Sequence, residues 1–233
     1  TSTKETETST KETETSTNEE QINLLELLNN NYSRDWEHED GDIEYKRGGV
    51  SYFLPVGYKS EGIKIDNFIE KTCVGFHGTY ATVLFKIIKE GFKLPSELPG
   101  KGVKEGHIQL GTKLFGIENF PNAIFVSPSI KYASYYGGNN DIVACSKTNT
   151  YIHSGHIQHN QILILILQTR VIPRSYTVNK NTTKYNFFDP HYDDNHLEWR
   201  IANPKNLFPY RILFKTVSLT DYKNSFVRKK EYI

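Results

Sequence analysis

Methionine is absent from all 233 residues of the sequence, position 1 included, and cysteine occurs only twice. The missing initial methionine leads us to expect a piece of a larger protein. The two cysteines, Cys73 and Cys145, are too few for a disulfide framework and stand far apart in the chain. We therefore expect free thiols in a reducing compartment, the cytoplasm or the nucleus.

Net charge and long apolar runs are lacking as well. The 28 Lys and Arg residues nearly balance the 27 Asp and Glu residues, so no overall field of one sign attracts nucleic acid or acidic lipid. The apolar run ILILILQ at 162–168 is far shorter than the roughly 18 residues of a membrane span. No basic segment leads into an apolar one, as it would in a signal peptide. We expect an intracellular protein that is monomeric and does not bind membranes.

The N-terminal region is a polar repeat. Residues 2–8 and 9–15 both read STKETET, without an apolar position that could form a coiled-coil seam or offset the entropy of ordering. Residues 1–20 are therefore predicted to be a disordered tether, and residues 21–233 a single domain. The segment EEQINLLELL at 19–28 is predicted to form a short amphipathic helix, followed by an acidic loop over 34–49.

Apolar patterning in the rest of the chain predicts more strands than helices. One helix is predicted at 80–92, where the apolar positions share one face and Gly91 can cap the end. A helical turn is predicted at 130–136. Strands are predicted at 50–58, 62–68, 72–76, 122–129, 161–172, 197–202 and 208–219. Because the strands do not alternate regularly with helices, the predicted class is α+β.

Polar side chains stand at the ends of three apolar strands. His77 follows CVGF, Ser129 and Tyr132 follow AIFV, and Glu198 leads EWRI. Each residue alone has an ordinary structural explanation, such as a turn, a core aromatic or a solvated strand edge. Strand ends are also where rigid scaffolds present functional side chains. The set, in this order, therefore predicts a functional site.

The segments that carry these residues resemble a known family. FHGT with its following helix, IFVSPSIKYA and LEWRI are similar to the poly-ADP-ribose-polymerase-like ADP-ribosyltransferases, over roughly residues 50–219. That branch is recognised by a His-Tyr-Glu trio. The resemblance implies split antiparallel β-sheets around an NAD cleft, with a few short helices. It also implies an enzyme that moves ADP-ribose from NAD to an acceptor and releases nicotinamide, without a metal.

The resemblance assigns roles to residues that match the motifs. His77, Tyr132 and Glu198 would be the catalytic trio, with His77 on the adenosine ribose, Tyr132 stacked on nicotinamide and Glu198 on the nicotinamide ribose. Gly78 would offer its backbone to the nicotinamide carboxamide, and Ser129 would hydrogen-bond the same group. A fixed carboxylate suits this chemistry because loss of nicotinamide leaves an oxocarbenium-like sugar.

Three further residues complete the expected NAD contacts. Thr79 belongs to the HGT motif, and Phe125 takes the place of a second stacking aromatic that is often Tyr. Tyr136 lies one helical turn after Tyr132. The stacking residue is left open among Tyr132, Tyr135 and Tyr136, because all three lie within about one turn.

Several alternatives stay open at the level of sequence. His196 stands where arginine- and asparagine-modifying relatives have Glu or Gln. The type of acceptor, a protein or a nucleic acid, therefore stays open. Transfer of a single ADP-ribose is preferred because no feature marks the acceptor site that chain growth needs. The other functions are an inactive binding module of the same fold and an NAD-dependent RNA 2′-phosphotransferase.

Two other motifs are better explained as exposed loops. Cys145, His153, His156 and His159 have spacings that could gather zinc ligands, but Gly155 weakens a helix there and no second Cys pair is present. The Gly- and Lys-rich segment 101–113 could contact phosphate, although these residues are common in any loop. We expect no metal.

Overall fold

The computed structural model describes residues 27–29, 31, 33–37, 39, 41–64, 71–98, 113, 116–118, 120–138, 161–180, 189–218 and 220–221. The tether predicted at 1–20 lies outside these residues. The described strands are β1 (Arg34–Asp35), β2 (Glu44–Arg47), β3 (Val50–Phe53), β4 (Lys59–Gly62), β5 (Cys73–Gly78), β6 (Ile124–Val126), β7 (Gln161–Val171), β8 (Thr177–Asn179), β9 (Glu198–Ile201) and β10 (Leu207–Ser218). The described α-helices are α1 (Ala81–Glu90) and α2 (Ile130–Gly138), and short 3-10 helices lie at Pro95–Glu97 and Pro204–Asn206.

A five-stranded antiparallel sheet forms the centre of the fold, in the order β1-β4-β10-β7-β5. Strand β7 lies between β10 and β5, and every residue from Ile162 to Val171 is buried. Its apolar side chains enter core clusters on both faces of the sheet. This burial explains why the sequence reads as a continuous apolar run, and it confirms the prediction of a covered central strand.

Helix α1 covers one face of this sheet. Its buried residues Leu84, Ile87 and Ile88 pack into the same cluster as Leu165 and Leu167 of β7. The helix ends at Gly91, whose φ of 79° lies in the left-handed region and whose N–H donates to the carbonyl of Ile87 at 2.8 Å. Both the apolar face and the glycine cap agree with the sequence prediction.

Helix α2 covers the opposite face and approaches the sheet at two glycines. A Cβ on Gly78 of β5 would lie 1.9 Å from the carbonyl oxygen of Ala133, and a Cβ on Gly137 would lie 2.4 Å from that of Leu165. Any side chain at either position would force the helix away from the strands. The residues of α2, including Tyr132, are therefore held at a fixed height above the sheet.

A second sheet has the order β6-β9-β8 and is also antiparallel. Among the described residues, it joins the first through one bridge, in which Phe76 and Ser127 exchange backbone hydrogen bonds of 2.7 and 2.9 Å. A two-stranded sheet, β2-β3, packs Tyr52 onto the α2 side of the core. The described residues are thus α+β with antiparallel sheets, as predicted.

Three local predictions were wrong in detail. Leu28, placed in a helix over 19–28, instead forms a β-bridge with Ile63, and residues 19–26 lie outside the described part of the chain. The acidic loop predicted at 34–49 contains the strands β1 and β2. The strand predicted at 50–58 is shortened to β3, because residues 54–58 turn the chain, and β4 begins at Lys59. Of the strand predicted at 62–68, Gly62 is the last residue of β4, and residues 65–68 lie outside the described part of the chain.

We predict that Gly137→Ala destabilises the protein. Alanine normally favours a helix over glycine by up to about 1 kcal/mol, but here the new Cβ would meet the Leu165 carbonyl oxygen at 2.4 Å. We expect a net loss of about 1–3 kcal/mol in the free energy of unfolding, as for other overpacked sites. Gly41→Ala is the control in chemical denaturation, because its Cβ would meet only the Val56 side chain, at 3.3 Å. A stabilised Gly137→Ala variant would refute the close approach.

Candidate active site

His77 lies near the end of β5 and is held by the neighbouring strand. Its Nδ1 is 2.8 Å from the carbonyl oxygen of Phe125, and its ring packs edge-on against Phe92 at 5.3 Å. A carbonyl can only accept, so Nδ1 carries the proton and Nε2 is left as an acceptor. Burial lowers the pKa of His77, an effect that the bond to Phe125 partly offsets. The imidazole is therefore neutral at neutral pH.

The two sheets separate at His77. Strands β5 and β6 share only the Phe76–Ser127 bridge, and beyond it the His77 imidazole binds the Phe125 carbonyl in place of a backbone partner. Alternate residues of a strand direct their N–H and C=O groups to the same side. The backbone groups of Gly78 therefore point, like those of Phe76, towards the side on which β6 diverges. Thr79 is buried directly after β5.

The start of α2 is fixed by a buried polar chain. The Ser129 hydroxyl oxygen accepts from the Tyr132 N–H at 2.9 Å, which is a helix N-cap contact, and its proton is donated to Asp189. Asp189 also accepts the N–H groups of His191 and Tyr192, at 2.8 and 3.2 Å. Ser129 is only 1% exposed. The structure thus places Ser129 as the cap of the helix that carries Tyr132.

Tyr132 and Glu198 are brought together by α2 and β9. The Tyr132 hydroxyl donates to the Glu198 carboxylate and lies 3.1 Å from the Tyr136 hydroxyl. On the other side, Asn179 Nδ2 donates to Glu198 Oε1 at 2.8 Å. Glu198 therefore lies between a phenol from the helix and an amide from the edge strand β8. These three side chains, Tyr132, Glu198 and Asn179, are called the carboxylate cluster below.

Burial dominates the electrostatics of the carboxylate cluster. It raises the pKa of Glu198, while the hydrogen bonds from Asn179 and Tyr132 act in the opposite direction. Burial also raises the pKa of Tyr132 far above its usual range, and the charge of Glu198 adds to this effect. The phenol therefore stays protonated and remains a hydrogen-bond donor. An ionised Glu198 costs the folded state free energy, which is common at functional sites.

Only two members of the predicted catalytic trio are in contact. Continuing the β6-β9 register by one residue places Ser127 beside Glu198, so Phe76 and Glu198 share a row across the joined sheets. His77 is one residue further along β5, and its ring lies with Phe92 on the α1 face. Glu198 lies on the α2 face. His77 is thus two strands from Glu198, across the gap between β5 and β6.

The aromatic residues predicted to bind NAD differ in exposure. Tyr132 is 8% exposed, whereas Tyr136 is 47% exposed and contacts Tyr132 and Tyr135 edge-on. Phe125 pairs with Arg200 on β9, which makes it a diagonal neighbour of Glu198 on the same face of the sheet. Tyr136 and Phe125 are therefore the aromatic groups best placed to present a ring near Glu198.

Asn179 and Asp189 belong to the site but were not identified from the sequence. Asn179 lies in a polar stretch of the sequence. It is recognised as part of the site only because the pairing of β8 with β9 places it opposite Glu198. Asp189 lies in the loop before Glu198, FDPHYDDNH, which has three aspartates and no pattern that distinguishes them. The Asp-Pro pair in this loop is a general turn signal. It predicts a turn, but it does not indicate that Asp189 contacts Ser129.

Comparison with models of known protein families and with curated proteins returned no match for this chain.

No helix in the described part of the chain is long and apolar enough to cross a membrane. Among the described residues, no group of three or more His, Cys, Asp or Glu side chains could hold a metal ion. The zinc-ligand candidates Cys145, His153, His156 and His159 lie outside those residues. Cys73 is a buried free thiol.

We predict that Glu198→Gln stabilises the protein at neutral pH. The folded-state pKa of Glu198 is raised, so its favourable contribution is present below the unfolded pKa, about 4.3, and is lost as the pH rises through the folded pKa. The amide removes that loss, and a gain of about 0.5–2 kcal/mol is usual for such a change. Denaturation from about pH 4 to about pH 8 should show a gain that grows with pH.

Exposed Glu39→Gln is the matched control for this experiment, because it makes the same change from carboxylate to amide at the surface and should leave the free energy of unfolding nearly unchanged. A gain from Glu198→Gln that is equally large at both ends of the range would contradict the raised pKa. A loss of stability at high pH would show that the ionised carboxylate holds the site together.

Proposed function

We propose that the protein is a mono-ADP-ribosyltransferase that uses NAD as its substrate and modifies a protein or nucleic-acid acceptor. The observation that carries the proposal is the carboxylate cluster beside the gap between β5 and β6. Glu198 is half-buried there, is oriented by two hydrogen-bond donors, and stands at the first residue of its strand. Two antiparallel sheets that separate one strand away from this residue support a split-sheet ADP-ribosyltransferase fold.

Glu198 would act on the bond between nicotinamide and ribose. As this C–N bond breaks, its electron pair leaves with neutral nicotinamide and the ribose becomes oxocarbenium-like. A carboxylate fixed in a site with little water stabilises that developing cation more than it stabilises the ground state. A nucleophile of the acceptor then bonds to the ribose carbon and loses a proton. The chemistry needs no metal.

The nicotinamide ring would stack on Tyr136 rather than on Tyr132. The Tyr132 side chain is buried, and its hydroxyl donates a hydrogen bond to Glu198. Almost half of Tyr136 is exposed. Phe125 offers a second ring on the face that holds Glu198. Tyr132 would instead orient Glu198. Among the tyrosines that the sequence left open, we therefore propose Tyr136 for stacking, because its ring has an accessible face.

His77 would bind the adenosine ribose from the far side of the gap. Its neutral imidazole keeps Nε2 as an acceptor, which suits a ribose hydroxyl as the donor. NAD would extend from Glu198 on the α2 face, past the diverging backbone of Gly78, to His77 on the α1 face. Ser129 donates its proton to Asp189, so it could only accept from the carboxamide N–H.

One observation favours a binding module as the second candidate. Glu198 already accepts hydrogen bonds from Asn179 and Tyr132, and such a group can serve structure without chemistry. A carboxylate has about four lone-pair positions, however, so the two bonds leave acceptor sites for a ribose hydroxyl. The raised pKa of Glu198 also shows that its charge is costly in the fold, which a purely structural role does not require.

We predict that Glu198→Gln abolishes turnover without abolishing NAD binding. The substitution keeps the shape and removes the charge that faces the oxocarbenium, so nicotinamide release should fall on the order of 10²–10³-fold. NAD affinity should change little because Glu198 serves mainly the transition state. His77→Ala should weaken NAD affinity together with the rate. Calorimetry for NAD and chromatography for nicotinamide separate the two effects.

The control is Glu39→Gln, an exposed carboxylate away from the carboxylate cluster, which should retain native turnover. Native activity of Glu198→Gln would exclude the catalytic role and leave the binding module as the explanation. Failure of the native chain to bind NAD at all would exclude the proposed substrate.

We predict different kinetic effects for the two tyrosines. Tyr136→Ala removes the exposed ring and should raise the Kd for NAD, since stacking on a base is worth about 1–3 kcal/mol. Tyr132→Phe removes only the hydroxyl that orients Glu198 and should lower kcat with a smaller change in Kd. Tyr135→Phe is the control. A larger loss of NAD affinity from Tyr132→Phe than from Tyr136→Ala would reverse the assignment.

A further inference from the structure

Asn179 is the second side chain that holds Glu198, and it comes from a different part of the chain. It ends β8, is only 3% exposed, and pairs with Glu198 in the β8-β9 register. Its Nδ2 lies 2.8 Å from Glu198 Oε1. Buried asparagine side chains are uncommon unless their polar atoms are hydrogen-bonded. The hydrogen bond to Glu198 thus explains why an amide side chain can be buried at residue 179.

The turn between β7 and β8 fixes this register. Arg174 has a φ of 63°, and the backbone and side chain of Ser175 both donate to the carbonyl of Ile172. The next residue, Tyr176, stacks on Trp199 of β9 with ring centroids 4.3 Å apart. A slip of one residue would break this stack and turn Asn179 to the other face of the sheet. The turn therefore sets which side chain meets Glu198.

We propose that Asn179 is a positioning residue for the proposed reaction, which fixes the Glu198 carboxylate so that its remaining lone pairs meet the nicotinamide ribose of NAD. This inference rests on the proposed function. Tyr132 and Asn179 approach the carboxylate from α2 and from β8, so its two main side-chain torsions are held before substrate arrives. Such preorganisation lowers the cost of reaching the transition-state geometry.

The same contact affects the ionisation of Glu198. Burial raises the pKa of this carboxyl, and the hydrogen bond from Asn179 is the largest opposing effect, ahead of that from Tyr132. Loss of the Asn179 donor should therefore raise the pKa further, and less Glu198 would be ionised at a given pH. The titratable groups of α2 whose pKa values respond to the charge of Glu198 are the phenols of Tyr132 and Tyr136.

The test compares Asn179→Ala and Asn179→Asp with the native chain in the pH profile of kcat/KM for nicotinamide release. The acidic limb, which reports ionisation of Glu198 in the free enzyme, should move to higher pH with Ala and further with Asp. Asp keeps the shape but places two carboxylates together, which raises one pKa strongly. At neutral pH the rate should fall by up to about 10²-fold. Acidic limbs that coincide with the native profile would overturn the proposal.

Thr177→Ala is the matched control, since Thr177 lies two residues away on the same face of β8 and is exposed. Its acidic limb should coincide with that of the native chain. A shift as large as that of Asn179→Ala would show a general effect of disturbing β8 and would overturn the specific role of the amide.

Unfolding experiments test the contact independently of catalysis. If Asn179 supports the ionised carboxylate, the stabilisation produced by Glu198→Gln at about pH 8 should be larger in the Asn179→Ala background than in the native one. Equal stabilisation in both backgrounds would overturn the inference, whether or not NAD is cleaved. A native chain that shows this coupling but does not cleave NAD would instead exclude the proposed function alone.

Discussion

The bridge between Phe76 and Ser127 is the constraint on which the rest of the site depends. Two backbone hydrogen bonds connect a five-stranded sheet to a three-stranded one, and no longer ladder joins them among the described strands. The bridge aligns Glu198 with the main sheet through β6. It also ends where His77 binds the Phe125 carbonyl, so the two sheets are joined at this bridge and are not paired beyond it. A gap between the two sheets and a rigid scaffold thus meet within two residues.

Polar groups near this junction are fixed by tertiary contacts rather than by local structure. Asp189 holds the cap of α2, the capped helix carries Tyr132, and Tyr132 binds Glu198. The glycines at 78 and 137 set the distance between the helix and the sheet. A cavity or a bulky residue at any of these contacts would displace the Glu198 carboxylate, because packed interiors transmit displacement.

The sequence predicted the elements whose patterns are strongest. Strand β7 and helix α1 have long apolar patterns that survive in the structure, and the glycine cap of α1 is visible as a single residue. The short strands β1 and β2 are polar and exposed, so no periodicity marks them. Their pairing is decided by β4 and by the turn at Gly48 and Gly49, both of which have positive φ. That glycine pair between two runs was the available signal for a hairpin.

The candidate site was predictable only in part, for a related reason. The motifs place Tyr132 and Glu198 at element ends, and the structure brings them into contact. The sequence could not show that His77 lies on the other face of the sheet, because a shift of one residue in register exchanges the faces. Nor could it identify Asn179, whose partner is set by strand pairing between residues that no local pattern connects.

Strand order also has a consequence for how the chain acquires its fold. Strand β10 lies between β4 and β7, so the centre of the main sheet is completed by one of the last described segments. Pairing residues so far apart in sequence gives a high contact order, which slows folding. Until β10 arrives, β7 presents a long apolar strand with an open edge, a known route to aggregation. During synthesis the protein should therefore depend on chaperones that shield this edge.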